Sequence, residues 1–183
     1  MFIRTERLLL RPGWSQDAPA LFGAIADERI VRNLATAPWP YRPGDAEAWL
    51  ATERDPREPS LLIFRCTNTA PELIGAIGVG RRPTGDLELG YWIARHHWGR
   101  GYATEAGRAV LAMARHSLRL RRLSAGHFLD NPASGRVLEK LGFRSAGKIV
   151  PHYSAGRGEA APCRLFELEL EGESDIAPAA MAA

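Results

Sequence analysis

The feature that most constrains this chain is a change of period at one place. Around residues 86–93 apolar residues alternate, with Leu87, Leu89, Tyr91 and Ile93 on one side and Glu88, Gly90 and Trp92 on the other. That is the pattern of a half-buried strand. From Gly101 onward the spacing turns helical, and Ala103, Ala106, Val110 and Met113 fall on one stripe. Between the two lies Trp98-Gly99-Arg100-Gly101-Tyr102-Ala103. Two glycines separated by one residue let the backbone turn tightly and come close to a ligand. The helix that follows opens with amide donors that have no partner inside it, and its dipole favours an anion there. Arg100 adds a charge that can reach a phosphate. The junction is therefore a candidate pyrophosphate site, with a plain strand-to-helix turn as the alternative. It is not a P-loop, which needs Lys-Ser or Lys-Thr where this chain has Tyr-Ala-Thr. Nor does it carry the third glycine or alanine of a dinucleotide fingerprint at the required offset.

The rest of the sequence supplies a sheet around that junction. Residues 6–11 form an apolar run stopped by Pro12-Gly13, which reads as a first strand. Ser15 or Asp17 caps a helix through Leu21 and Ile25, and a second helical stretch covers 30–34. Prolines at 38, 40 and 43 force a loop, and 45–54 is a further short helix. Strands are expected at 61–64, at 73–79 (weakened by glycines) and at 86–93, the last two joined by a turn at 83–86. Another strand follows at 122–128, then a helix at 131–141 ended by Gly142, then strands at 143–150 and 163–170. This order predicts an α/β fold, a mixed sheet with helices on both faces. It reads as one domain, 1–172, with a disordered tail at 173–183.

Composition narrows the function. A length of 183 residues suits one domain, and 45 % hydrophobic residues can build a core. A net charge of +3 is compatible with a polyanionic ligand and too weak to argue for nucleic acid. The arginines around 115–122 suit a solvated helix end and lack the stacking aromatics of an RNA surface. The 2 cysteines and 5 histidines show no metal-ligand spacing, so no metal is expected. Cys66 and Cys163 read as buried, reduced thiols, which favours the cytoplasm. The start Met1-Phe-Ile-Arg-Thr-Glu-Arg7 carries charges where a signal peptide needs an apolar stretch, and no apolar run approaches the roughly 20 residues that span a bilayer. A homodimer is left open.

Three motifs carry a resemblance. Glu88-Leu-Gly-Tyr-Trp-Ile93 with Trp98-Gly-Arg-Gly-Tyr-Ala-Thr-Glu-Ala106 is similar to the cofactor motif of the GNAT superfamily of N-acetyltransferases, and of its RimJ/RimL type in particular. Asn131-Pro-Ala-Ser134 with Glu139-Lys-Leu-Gly-Phe143 resembles that group's second motif, and Thr5-Glu-Arg-Leu-Leu-Leu-Arg11 its opening. The match runs in order from about Thr5 to about Leu170. It implies a sheet splayed into a V, with acetyl-CoA as co-substrate. The pantetheine arm would pair near Trp92 and Ile93, and the pyrophosphate would rest on Trp98, Gly99, Arg100, Gly101, Tyr102, Ala103 and Thr104. Trp98 departs from the Gln or Arg usual at the head of the loop. The acceptor is implied to be a primary amine, on a protein N-terminus or a small molecule.

Amide formation from an alkylammonium needs a base near the nitrogen and a proton donor near the departing sulfur. Glu88 is the candidate base, by its place on the strand and by the resemblance, with His127 in reserve and an arginine-paired strand carboxylate as the structural alternative. Much of the superfamily has a tyrosine acid seven residues after the motif's Asn. Here that residue is Leu138, and the resemblance instead offers Ser134 as the donor. Asn131 can both cap its helix and hold the pantetheine arm. Trp39, Tyr41 and Trp49 are candidate walls for the acceptor, and His96 and His97 read as exposed loop residues. A non-catalytic acyl-CoA-binding module is the alternative reading.

Overall fold

The computed structural model describes residues 1–82 and 85–170. Part of the turn expected at 83–86 and all of the tail expected at 173–183 lie outside the described residues. The chain runs β1 (Ile3–Arg4), β2 (Leu8–Arg11), a 3-10 turn (Ser15–Asp17), α1 (Ala18–Ile25), α2 (Glu28–Val31) and α3 (Pro43–Ala51). It continues through β3 (Ser60–Arg65), β4 (Glu72–Arg81), β5 (Leu87–Ile93), a second 3-10 turn (Arg95–His97) and α4 (Tyr102–His116). The last elements are β6 (Arg122–Phe128), α5 (Pro132–Lys140), β7 (Arg144–Ser154) and β8 (Glu159–Glu169).

Among the described residues eight strands share one mixed sheet in the order β1-β2-β3-β4-β5-β6-β8-β7. Alternation along β3 sends Leu61 and Ile63 to a core under α4, while Leu62 and Phe64 face a second cluster with Leu21, Ile25 and Tyr41 of the α1–α3 segment. The stripe Ala106, Val110 and Met113 lays α4 onto the first face. Helices therefore cover both faces, as the strand pattern requires.

One junction in the sheet is weak, and it positions the site. β4 and β5 pair antiparallel at seven successive positions, from Gly75 with Ile93 to Arg81 with Leu87. β6 pairs with β8 equally fully. β5 and β6, joined by the α4 crossover and hence parallel, meet at a single position, Glu88 with Ser124. The Ser124 hydroxyl donates to the Leu87 carbonyl at 3.0 Å and pins that end. Beyond it the strands diverge toward Ile93 and Phe128, which gives the V.

Several boundaries differ from expectation for local reasons. The run 6–11 holds one strand, β2 from Leu8, with the short β1 before it, because Thr5 and Leu8 close a turn, Leu8 N donating to Thr5 Oγ1 at 3.0 Å. Asp27 starts α2 earlier by accepting from Arg29 N at 2.9 Å. Asp45 does the same for α3 from Arg42 N at 2.7 Å. Asp17, not Ser15, organises the entry to α1: it accepts from Trp14 N at 2.7 Å and is gripped by both terminal nitrogens of Arg11 at 2.8 Å. β7 and β8 reach well past the expected ends, and Pro151 and Pro162 stand opposite each other in the ladder. Glycine in β4 permits contact, since a Cβ on Gly75 would stand 2.3 Å from the Trp92 carbonyl oxygen. Both cysteines are free; Cys163 is buried and Cys66 only half-buried. Among the described residues no helix is long and apolar enough to cross a membrane.

Candidate active site

The loop after β5 takes the conformation its glycines allow. Gly99 (φ 73°) and Gly101 (φ 80°) both lie in the left-handed region, where a side chain costs about 1–2 kcal/mol. Gly101 is the residue before α4, and among the described residues no side chain caps it. The first intrahelical bond is Glu105 N to the Gly101 carbonyl at 3.0 Å. The amides of Tyr102, Ala103 and Thr104 thus start the helix without intrahelical acceptors, beside the exposed residues Gly99 and Arg100.

The opening segment of the chain braces this loop, a role that the sequence motif alone did not reveal. Arg7 Nη1 donates to the Arg100 carbonyl at 3.1 Å, and Arg7 Nε donates to Glu105 Oε2 at 2.7 Å. Thr5 Oγ1 and Arg7 N both donate to Glu105 Oε1, at 2.6 and 3.0 Å. The Arg7 guanidinium also lies 4.6 Å over the Tyr102 ring. Burial pushes the Glu105 carboxyl up, but the hydrogen bonds from Thr5 and Arg7 outweigh it and hold the group below the usual carboxylate range.

Register decides which backbone groups face the opening. Ala94 N donates to the Ile74 carbonyl at 2.7 Å, so Ala94, Trp92 and Gly90 belong to the bonded pairs with β4. Alternation then turns the peptide groups of Tyr91 and Ile93 toward the β5–β6 gap. Trp92 commits its own to β4 and offers the cleft its side chain. Trp98 fills part of the Ile93 position, its indole Nε1 donating to the Ile93 carbonyl at 2.6 Å.

A cleft of about 1270 Å³ runs from the loop along β5 and past β6. It brings together the loop glycines, Glu88, Asn131, Ser134 and His127, which are far apart in sequence. Ser134 Oγ lies 2.8 Å from the Tyr91 hydroxyl, which is also 3.2 Å from the Ser134 carbonyl. Tyr91 read as a core residue of its strand face. The signal for more was its hydroxyl, which needs a partner once buried. Burial pushes the Tyr91 phenol up to about 12, against a smaller opposite pull from Ser134. Asn131 caps α5, its Oδ1 accepting from Ser134 N at 3.4 Å.

Glu88 is held by Arg82. Arg82 Nη2 donates to Oε1 at 2.7 Å, and Arg82 Nε binds Oε2 at still closer range. His127 points Nδ1 at the Phe128 carbonyl, 2.8 Å away, and packs its other edge against Gly135. His97 is buried rather than exposed. Its Nε2 lies 3.2 Å from Glu72 Oε1, and its Nδ1 has no hydrogen-bond partner among the described residues. Tyr41 and Trp49 line the cleft, while Trp39 stands outside it, 40 % exposed. Among the described residues no cluster of His, Cys, Asp or Glu could hold a metal ion.

Known proteins are similar to this chain in sequence and in fold. The family model described as an acetyltransferase (GNAT) domain matches residues 7–144. A Bacillus subtilis protein named as the uncharacterized N-acetyltransferase YoaA is 29 % identical over 164 residues, covering 80 % of this chain and 85 % of its own. A GNAT-family acetyltransferase structure from Bacillus anthracis superposes with a TM-score of 0.78 at 23 % identity, over 94 % of this chain and all of that one. The ribosomal L7/L12 α-N-protein acetyltransferase RimL, solved with coenzyme A, superposes with a TM-score of 0.74 at 20 % identity, over 92 % and 98 %. The family match spans the loop, the splayed strands and α5 together, and the chain accordingly belongs to the GNAT acetyltransferase family.

Proposed function

We propose that this protein transfers an acetyl group from acetyl-CoA to a primary amine in the cytoplasm. Its own loop fits a diphosphate. A Cβ position at Gly99 has no atom within 4 Å, the helix start is uncapped, and Arg7 and Arg100 stand beside it. The residues that would hold the donor are Trp98, Gly99, Arg100, Gly101, Tyr102, Ala103 and Thr104 at its phosphates. Ile93 and Tyr91 would bind its amide arm through backbone groups, with the Trp92 ring and Asn131 alongside. When bound, acetyl-CoA supplies the acyl group, and its C–S bond breaks as the C–N bond forms.

The remaining work falls to two side chains. Glu88 takes a proton from the acceptor ammonium. Ser134 holds a proton at Oγ for the departing sulfur, and Tyr91, neutral at working pH, replenishes it through the 2.8 Å contact. A tyrosine thus stands behind the serine even though Leu138 occupies the superfamily's usual tyrosine position. The observation that carries this reading is the cleft itself: an uncapped helix start on left-handed glycines shares one cavity with Glu88 and the Ser134–Tyr91 pair.

Glu88→Gln tests it, because glutamine keeps the size and cannot accept a proton at neutral pH. Release of free CoA with an amine acceptor should fall by about 10²- to 10³-fold while acetyl-CoA affinity is kept. The loss should shrink in alkali, where free amine is abundant. A loss constant across pH would make Glu88 a positioning group, and no loss would pass the role to His127. A second reading, a non-catalytic acyl-CoA-binding module, draws on the engagement of both Glu88 oxygens by Arg82. It requires acetyl-CoA binding without CoA release for any amine.

A further inference from the structure

The partner that holds Glu88 has its own place in the cleft. The Arg82 and Glu88 side chains are 18 % and 24 % exposed, so the pair is half-sheltered yet open to the cavity. Arg82 reaches across the opening: its Nη2 lies 3.5 Å from where a Cβ on Gly126, in the middle of β6, would stand. The hydrogen bonds to Glu88 use Nε and Nη2. Among the described residues Nη1 has no hydrogen-bond partner, although a guanidinium presents five donors in a fixed fork. Glu88 is likewise unsaturated, because two carboxylate oxygens offer about four lone-pair sites and Arg82 takes one on each.

A bare cationic amine that docked on the outer lone pairs of Glu88 would come close to the guanidinium. The neutral pair would then become a site with one excess positive charge, which sheltered surroundings penalise. An acceptor that brings its own carboxylate removes that excess. Its ammonium meets Glu88 while its carboxylate meets Arg82 Nη1, and the cluster of four charges stays neutral. The spacing of adjacent donor and acceptor on one ion pair suits ammonium and carboxylate groups borne by the same or neighbouring carbons.

We infer that Arg82 is a specificity-determining residue and that the acceptor is a small zwitterion, a free α-amino acid or close analogue, rather than a peptide N-terminus. In a peptide the neighbouring carboxyl is a neutral amide, which leaves the excess charge of the docked ammonium uncompensated. This rests on the reading of Glu88 as the base for the acceptor amine.

The test is a comparison of paired acceptors with the full chain and acetyl-CoA, followed by release of free CoA. Free L-α-amino acids are set against the same amino acids as carboxamides. The wild-type protein should favour the free acids by about 10- to 100-fold in kcat/KM. Arg82→Gln should erase most of that preference, chiefly by raising KM for the free acids, and Arg82→Lys should keep part of it. Equal rates for acid and amide, or a preference untouched by Arg82→Gln, would overturn the inference. So would turnover of carboxamides or peptides with none of free amino acids. Glu88→Gln run in parallel separates the two readings: it should slow every acceptor alike, so a failure of the base assignment appears there and not in the acid-to-amide ratio. Acetyl-CoA binding measured on each variant shows that the fold and the donor end are intact.

Discussion

At the α4 end of the cleft the groups on offer are backbone amides, set by two left-handed glycines and braced from the N-terminal segment. At the Glu88 end they are side chains, an ion pair across a hairpin and a hydroxyl pair across the V. The difference separates two tasks. Backbone donors at a helix start do not titrate, and they change only when the backbone changes, which suits a donor common to every turnover. Side chains can be exchanged one at a time, which suits groups that select the acceptor. Damage at the two ends should therefore look different: affinity for the donor at one, turnover and acceptor choice at the other.

The sharpest break at the donor end is Gly101→Val. A β-branched residue at φ 80° is strained, and its bulk blocks approach to the amides. Affinity for acetyl-CoA should fall by about 10²-fold or more, roughly 3 kcal/mol, in a protein that still unfolds cooperatively. Calorimetry that finds wild-type affinity would remove the loop from the account. At the other end Ser134→Ala should lower kcat by about 10²-fold with donor affinity nearly unchanged. If chemistry is rate-limiting and kcat is preserved, Ser134 is only a helix-face residue.

Tyr91→Phe sharpens the contrast further, with an expected drop in kcat of about 5- to 10-fold, since the hydroxyl acts through Ser134. Burial raises the Tyr91 phenol to about 12, so it stays protonated well above neutral pH. The pH profiles of wild type and Tyr91→Phe should keep the same shape up to about pH 10. A falling limb seen below that pH only in the wild type would show Tyr91 ionising and contradict its place as a donor.

The smallest effect expected is that of Arg7→Ala, which loses a hydrogen bond to the Arg100 carbonyl and the grip on Glu105. Acetyl-CoA affinity should weaken by about 3- to 10-fold, the worth of about one such bond. The Glu105 carboxyl is held below its ordinary range in the folded protein. Its share of stability is therefore present above the unfolded value of about 4.3 and lost only as pH falls through the folded one. The brace should be flat from neutral pH to about pH 5, and an affinity loss setting in above that would place the titrating group elsewhere.

What could be read without coordinates follows the range of each interaction. The loop was legible because the change of period and both glycines lie within a few residues of each other. Strand faces were legible for the same reason, and the division of Leu89 from Glu88 and Trp92 holds in the folded sheet. Partners were not. The Tyr91–Ser134 contact joins residues 43 apart and the Arg7–Glu105 contact residues 98 apart, and both exist only because the sheet closes. Arg82 lies six residues from Glu88, but nothing local marks it among so many arginines. The charged run Arg95-His96-His97 reads as solvated in the sequence. A 3-10 turn instead tucks its last ring against Tyr102 and Glu72.

The central claim is that the donor lies in the β5–β6 opening with its phosphates on the α4 start, and a crystal structure with acetyl-CoA bound tests it most directly. The account predicts phosphate oxygens within hydrogen-bonding distance of the amides of residues 101–104, the amide arm paired with the peptide groups of Tyr91 and Ile93 that face the β5–β6 gap, and the thioester beside Ser134 Oγ. A cofactor bound elsewhere, or phosphates held only by side chains away from Gly99 and Gly101, would contradict it.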